Sequence, residues 1–412
     1  MAEKGRYSAL AGAIKIVIPL LLISCYSNSM DALAPVLRNM QVAFPEASLT
    51  LVQMTITLPS AVSVPVQLLT IPLSQFMTKK DMMVTAILLI CVGGLIPLAF
   101  HGSIIFVVIS SVVIGIGQGF FMPSANAIIA ELFDGNARGE FMGIRTGVSG
   151  FMRSLLTLAA GFFGALYWYR SYFIFLIMIP FIVLFIVATP QGEKGAKLVG
   201  KGVGLSGLKG IFTPGFIVIT IISYFATTNQ MAFLTNIAGY IADRNFGGAV
   251  TAGTATASNT MARLFCGIFF GFLLKAFKKY LLPIGYAMNA VGYFLILQAN
   301  GIVGVQVGGI LFGIGLGIQM AGGTYYLSEE VEKQYMGQAM GLYMPIISLA
   351  VSTSPIIINF LSKNVLGGTT ATNNFRVGFY GYAFTAVALF IYEVVFCKNS
   401  MIGKVSGLEG DK

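Results

Sequence analysis

The chain is short of charge. Only 10% of its 412 residues are Asp, Glu, Lys or Arg, against roughly 25% in an ordinary globular protein. A soluble fold of this size cannot keep its surface wet with so few charges. Histidine is nearly absent: His101 is the single one, too few for a metal site or a histidine-based catalytic centre, and it reads as a solvated residue at a helix end. The four cysteines, Cys25, Cys91, Cys266 and Cys397, lie in or beside apolar stretches with no metal-ligand spacing, which fits small apolar packing groups. No metal and no cofactor are expected.

What fills the chain instead is apolar. Hydrophobic residues make up 56%, and the mean hydropathy is +0.84. A bilayer supplies the missing solvent, and it admits helices because they satisfy their own backbone hydrogen bonds. With a ruler of ~20 apolar residues per crossing, twelve spans are expected. They lie near 14–38, 48–73, 82–100, 104–130, 140–166, 171–189, 213–240, 248–274, 281–299, 302–327, 336–361 and 377–396. The first run is long and lacks a cleavage site of small residues, so it reads as a retained span.

The net charge of +10 does not point to nucleic acid, because the basic residues sit in short loops between apolar runs. Seventeen lysines and arginines fall in segments that are cytoplasmic if the N-terminus is inside, against five in the other loops. By the positive-inside rule both termini then face the cytoplasm, as expected of a plasma or inner membrane protein. The stretch 191–212 is rich in glycine and lysine and reads as a cytoplasmic linker. It separates a six-span unit, 1–190, from a second, 213–412.

The two halves repeat each other. Gly115-Ile116-Gly117-Gln118-Gly119 in span four matches Gly313-Ile314-Gly315-Leu316-Gly317 in span ten, offset by 198 residues (313 − 115). Glu131 pairs with Glu329 at the same offset, and Leu73 with Leu273 at 200. The glycine runs lie inside apolar spans with no strand before them, so close helix packing accounts for them better than dinucleotide binding. Repeated six-span halves are what a rocking two-unit carrier requires.

These residues resemble the major facilitator superfamily. The family's loop between helices two and three, Gly-x-Leu-x-Asp-Arg-x-Gly-Arg-Lys, is matched in part by Ile71-Pro72-Leu73-Ser74-Gln75-Phe76-Met77-Thr78-Lys79-Lys80. The leucine and basic pair are kept, and Gln75 stands where the family has aspartate. The second copy, Gly271 to Tyr280, puts Lys275 there. Glu131-x6-Arg138-Gly139 is similar to the family's connection between helices four and five. Tyr169-Arg170-x-x-Phe173 at the start of span six has a partner in Phe375-Arg376-x-x-Phe379. The resemblance implies an all-α integral membrane protein of twelve transmembrane helices in two pseudo-symmetric six-helix bundles. It also implies a transporter and not an enzyme, working as a monomer, with Glu131, Arg138, Lys79 and Lys80 gating the cytoplasmic side. Helices one, four, seven and ten would line the cavity.

Charge within a span costs roughly 2.5–3.5 kcal/mol per residue on insertion scales, so the few such residues are informative. Arg145 and Glu393 lie near predicted helix ends, and a structural, snorkelling role fits both. Asp31, Arg153 and Arg263 fall near the middle of spans one, five and eight, and no charge stands at their repeat positions. Helical spacing puts Ser24, Asn28 and Asp31 on one face of span one, Arg145, Ser149 and Arg153 on span five, and Thr256, Asn259 and Arg263 on span eight. Span seven offers Ser223, Thr227, Asn229 and Gln230.

Two guanidiniums against one carboxylate suit an anion, since arginine presents a fork matched to carboxylate or phosphate. The expected activity is secondary transport of a small organic anion bound between the halves, proton-coupled or by exchange. Arg153, Arg263, Asn28, Gln118, Asn229, Gln230, Gln319 and Tyr343 are the expected substrate contacts. Asp31 is the proton-coupling candidate, because burial and a nearby guanidinium act on a carboxyl in opposite directions. The expected partners are this anion, protons and the lipid bilayer, with no nucleic acid. The alternative is a drug–proton antiporter exporting amphipathic compounds. Asp31-x-x-x-Pro35 resembles its helix-one signature, but the helix-five Gly-Pro-x-x-Gly-Gly is missing from Leu156–Gly161. A lipid flippase is a further possibility on the same fold, its arginines holding a phosphate headgroup.

Overall fold

In a computed structural model, residues 18–132, 135–189, 212–331 and 336–395 are described. They form twelve helical segments. We number them α1 (Ile18–Ser27 and Ser29–Ala43, bent by 49°), α2 (Leu49–Thr70, continuing to Leu73), α3 (Lys79–Ala99), α4 (Ile104–Leu132), α5 (Gly135–Phe163) and α6 (Trp168–Ala188). The second set is α7 (Pro214–Asp243), α8 (Ala249–Ile268, then Phe270–Phe277 after a 65° bend), α9 (Leu281–Leu297), α10 (Ile302–Glu330), α11 (Met336–Leu366) and α12 (Ala371–Val395). Most of the expected spans fall within a few residues of these helices. The chain divides into two compact units, Met1–Gly200 and Lys201–Lys412. The linker expected at 191–212 lies almost wholly outside the described residues.

Local sequence sets the helix ends. Ser48 accepts a hydrogen bond from Leu51 N to start α2, and Thr213 accepts from Phe216 N with Pro214 at the first helical position. α3 begins in a capping box: Thr78 Oγ1 accepts from Asp81 N, and the Asp81 carboxylate accepts from Thr78 N, which satisfies two orphan donors together. The turn after α7 needs left-handed backbone at Asn245 (φ 57°) and Gly247 (φ 146°). A Cβ on Gly247 would also strike Thr251.

The glycine runs are helix–helix seams, and both units build them alike. A Cβ on Gly115 would lie 2.8 Å from Pro59 O and Val62, one on Gly117 2.7 Å from Ala86 O, and one on Gly119 2.5 Å from Val66. So α4 rests backbone to backbone on α2 and α3. In the second unit a Cβ on Gly313 would meet Asn259 O, one on Gly315 would meet Gly285 O and Asn289, and one on Gly317 would meet Arg263 O and Cys266. The contacted residues are offset by 199 or 200, so the repeat read in the sequence is also a repeat of contacts. Without a hydrophobic drive between helices in lipid, such close approach supplies the dispersion that holds them.

One contact appears with its partners exchanged. In the first unit Gly94 of α3 receives the Phe175 ring of α6, which a Cβ at that position would strike. In the second unit Tyr293 of α9, at the position matching Gly94, lays its ring on Gly378 of α12. Tyr26 of α1 likewise donates to Ile174 O of α6, whereas Tyr382 of α12 donates to Ala226 O of α7. Each seam needs one large and one small side, and the halves chose opposite sides.

Candidate functional site

Span one is not a regular α-helix. Residues Ser24–Val36 form a 3₁₀ helix that contains Pro35. At three residues per turn Ser24 and Asp31 do not stack in one ideal row, yet both side chains reach α5. The side chain of Asn28 lies outside those described.

The 3₁₀ rise has a consequence for register. Seven residues at ~2.0 Å per residue carry Ser24 to Asp31 about 14 Å. Eight residues of α-helix at 1.5 Å carry Arg145 to Arg153 about 12 Å. The two helices therefore meet twice. Arg145 Nε donates to Ser24 Oγ at 3.1 Å, and Arg153 Nη1 faces Asp31 Oδ2 at 3.5 Å.

The two arginines sit differently. Arg145 is buried, with Nη1 donating to Asn126 Oδ1 at 2.8 Å and Nη2 3.5 Å from Met122 Sδ. It does not snorkel: α5 begins at Gly135, five residues before the expected start of its span, so Arg145 lies about three turns inside the helix and ties α1, α4 and α5 together. Asn126 and Met122 were not singled out in the sequence, although their i, i+4 spacing on α4 was a usable signal. Arg153 and Asp31 are partly open, with side-chain exposures of 19% and 27%. Their 3.5 Å separation is longer than the ~2.7–2.9 Å of a tight charge-assisted hydrogen bond. Gln118 is buried in α4.

Lys80 Nζ donates to Thr189 O at the end of α6, a cation on a helix C-terminus. Lys79, beside it, opens α3. The Glu131 and Arg138 side chains lie outside those described, as do Glu329, Glu330 and Glu393.

The second unit answers with neutral groups. Tyr343, at the repeat position of Arg145, is buried with its hydroxyl beside Ser223 of α7 and Gly323 of α10. Tyr224 Oη and Thr353 Oγ1 are hydrogen-bonded at 2.8 Å, and Ser354 donates to Thr228 O. Asn229 Nδ2 turns back to Phe225 O, and Tyr293 donates to Asn229 O. Gln230 is half-buried on the same helix. Gln319 is buried against Tyr382, its Nε2 without a partner among the described residues.

Arg263 is partly exposed on α8. Its expected neighbour Asn259 does not share an open face with it, because the Asn259 amide donates to Gly309 O in the α8–α10 seam. An asparagine cluster went unread in the sequence: Asn374 Nδ2 donates to Asn236 Oδ1 at 2.7 Å and to Asn359 Oδ1 at 2.8 Å, all three buried.

Among the described residues, twelve helical segments in two units, seven of them long and apolar enough to cross a membrane and nine if each bent pair counts as one span, can be compared with known proteins. The profile of the Major Facilitator Superfamily matches residues 11–258 and 218–400. The chain belongs to the major facilitator superfamily. A bacterial homolog of the human lysosomal transporter Spinster, solved inward-facing and unoccupied, is similar at TM-score 0.71 and 14% identity, over 96% of this chain and 97% of that one. The D-xylose–proton symporter is similar at TM-score 0.69 and 16% identity, over 92% and 96%. The nucleoside transporter NupG gives TM-score 0.73 and 11% identity, over 91% and 99%. At these identities the likeness concerns the fold. No curated protein matches the sequence. As a superfamily member the chain is a multi-pass membrane secondary transporter, not an enzyme.

Proposed function

We propose that this transporter carries a small organic anion of the carboxylate type, with Arg153 receiving the anion and Asp31 serving as the proton-coupling group. The observation that carries the reading is the Asp31–Arg153 contact: 3.5 Å long and partly open on both sides. A substrate carboxylate offers the same two oxygens as Asp31 and can take its place on the guanidinium fork. Displaced from the cation, Asp31 then holds a proton more readily, so anion and proton travel together. The buried Arg145, bonded to Ser24 and Asn126, holds α1 and α5 in the register that keeps this pair together.

The remaining assignments extend this reading. Arg263, Asn28, Gln118, Asn229, Gln230, Gln319 and Tyr343 are further candidate substrate contacts, and Lys79, Lys80, Glu131 and Arg138 the cytoplasmic gate. The protein works as a monomer in the plasma or inner membrane with both termini in the cytoplasm.

The test is uptake of labelled carboxylates into proteoliposomes, with and without an imposed pH gradient. Arg153→Gln is expected to lower saturable uptake about ten- to a hundredfold, the scale of losing a hydrogen bond to a charged group worth about 1.5–3 kcal/mol. Asp31→Asn is expected to keep exchange but lose the response to the gradient. Undiminished uptake by Arg153→Gln would sink the anion reading. Proton-driven export of amphipathic cations by the wild type would favour the antiporter.

A further inference from the structure

The end of α8 differs from its counterpart in the first unit. α2 runs as one helix to Leu73, and the turn after it is tied down: Thr78 and Asp81 cap α3, and Lys80 is bonded to Thr189 O. α8 instead breaks at Phe269, turns by 65° and continues as the short helix Phe270–Phe277. Lys278 follows with φ 48° and ψ −128°, a backbone position that non-glycine residues seldom hold.

This short helix has two unlike sides. Leu274 is buried with Cys266, Leu281 and Ile318, and Phe270 and Leu273 pack against the same cluster. The other side is uncovered: Phe272 is 72% exposed and Ile268, just before the bend, 67%, with Phe269 also exposed. Lys275, 60° round the helix from Phe272 at 100° per residue, is exposed, and so is Lys278. From residue 244 to residue 328 the sequence contains no aspartate or glutamate.

We propose that Phe270–Lys278 is an interfacial element that binds anionic phospholipid headgroups, with Phe269 and Phe272 in the acyl region and Lys275 and Lys278 on the lipid phosphates. In the orientation set by the basic loops this is the cytoplasmic leaflet. A bent helix end that carries bare aromatics beside lysines lies along the interface: apolar area enters the lipid while the ammonium groups reach out to the headgroups. No carboxylate lies within this stretch of sequence, and an anionic headgroup offers the two exposed ammonium groups a counter-charge. In the first unit Phe76 is also exposed, but the chain there has no bent helix end and Lys80 is bonded to Thr189 O.

The experiment is native mass spectrometry of the full-length protein in detergent, titrated with phosphatidylglycerol or phosphatidylcholine. Lys275→Gln/Lys278→Gln is expected to bind phosphatidylglycerol about thirtyfold more weakly, at about 1 kcal/mol per lysine, with phosphatidylcholine retention unchanged. Lys275→Arg/Lys278→Arg is expected to keep wild-type binding, which separates lost charge from a damaged fold. Lys79→Gln/Lys80→Gln is expected to leave phosphatidylglycerol retention as it is. The proposal is overturned if the Lys275/Lys278 glutamine variant retains phosphatidylglycerol like wild type. It is overturned equally if the Lys79/Lys80 variant loses as much.

Discussion

The two units share a backbone plan and part company in chemistry at matching positions. Ser24 and Arg145 in the first unit correspond to Tyr224 and Tyr343 in the second, and Asp31 and Arg153 to Met231 and Val351. Where the first unit joins α1, α4 and α5 through a buried guanidinium, the second joins α7, α10 and α11 through hydroxyls. The seams that hold helices together repeat, while the charges of Asp31, Arg145 and Arg153 within the spans do not. A duplicated fold can let the two copies take up ionisable groups at different positions, and that asymmetry is what singles out Asp31 and Arg153 for the proposed transport role.

The sharpest way to break the comparison is the exchanged seam. Gly94→Tyr copies the α9 residue into α3 and drives a ring into Phe175. Overpacking of this kind costs 1–3 kcal/mol and occasionally more, and here the first unit is expected not to form. Phe175→Gly alone leaves a cavity and is expected to cost about 3–5 kcal/mol, on the scale of truncating a buried phenylalanine. The double variant Gly94→Tyr/Phe175→Gly moves the ring from α6 to α3, the side on which α9 carries it, and is expected to recover part of the loss. Thermal unfolding of the detergent-solubilised protein reads all three, and a double variant no better than the worse single one would show that the seams are not interchangeable.

The second contrast is between Arg145 and Tyr343. Arg145→Ala removes a cation that bonds Ser24 and Asn126, at about 1.5–3 kcal/mol for a hydrogen bond to a charged group. It is expected to destabilise the protein by about 3 kcal/mol. Tyr343→Phe removes one neutral hydroxyl and is expected to cost about 1 kcal/mol. Equal midpoint shifts in denaturant unfolding would mean that the charge adds nothing over a hydroxyl at this node.

Much of this fold was readable because the signals were long. Twelve apolar runs, a basic bias in alternate loops and the Gly115–Gly119 and Gly313–Gly317 repeats each rest on many residues, and the helices follow them. The site was less readable because it depends on single torsions and single turns. Nothing in Ser24–Val36 announces a 3₁₀ helix, and a spacing that groups Ser24 with Asp31 does not say that the two reach different arginines of α5. Arg145 looked terminal because the polar start of α5, Gly135–Glu140, fell below the apolar ruler. Asn259 looked like a cavity residue because its spacing to Arg263 is helical, but spacing does not say which neighbouring backbone an amide will meet.

The asparagine cluster offers the finest test. Asn236 of α7 stands where α1 has Val36. Asn236 accepts from Asn374, while Val36 lies against the bare Cα of Gly164. Asn236→Val therefore takes one acceptor from a buried donor that still holds Asn359, and the expected cost is about 1 kcal/mol. The reverse change, Val36→Asn, brings an amide into a position crowded by Gly164. It is expected to cost about 1–3 kcal/mol as a buried polar group without a prepared partner. The inequality is the point: polarity can be withdrawn from the second unit more cheaply than it can be added to the first. If equilibrium unfolding gives Val36→Asn the smaller loss, then the wall of α1 is not the tightly packed, apolar surface that keeps its polarity to the residues facing Arg145 and Arg153.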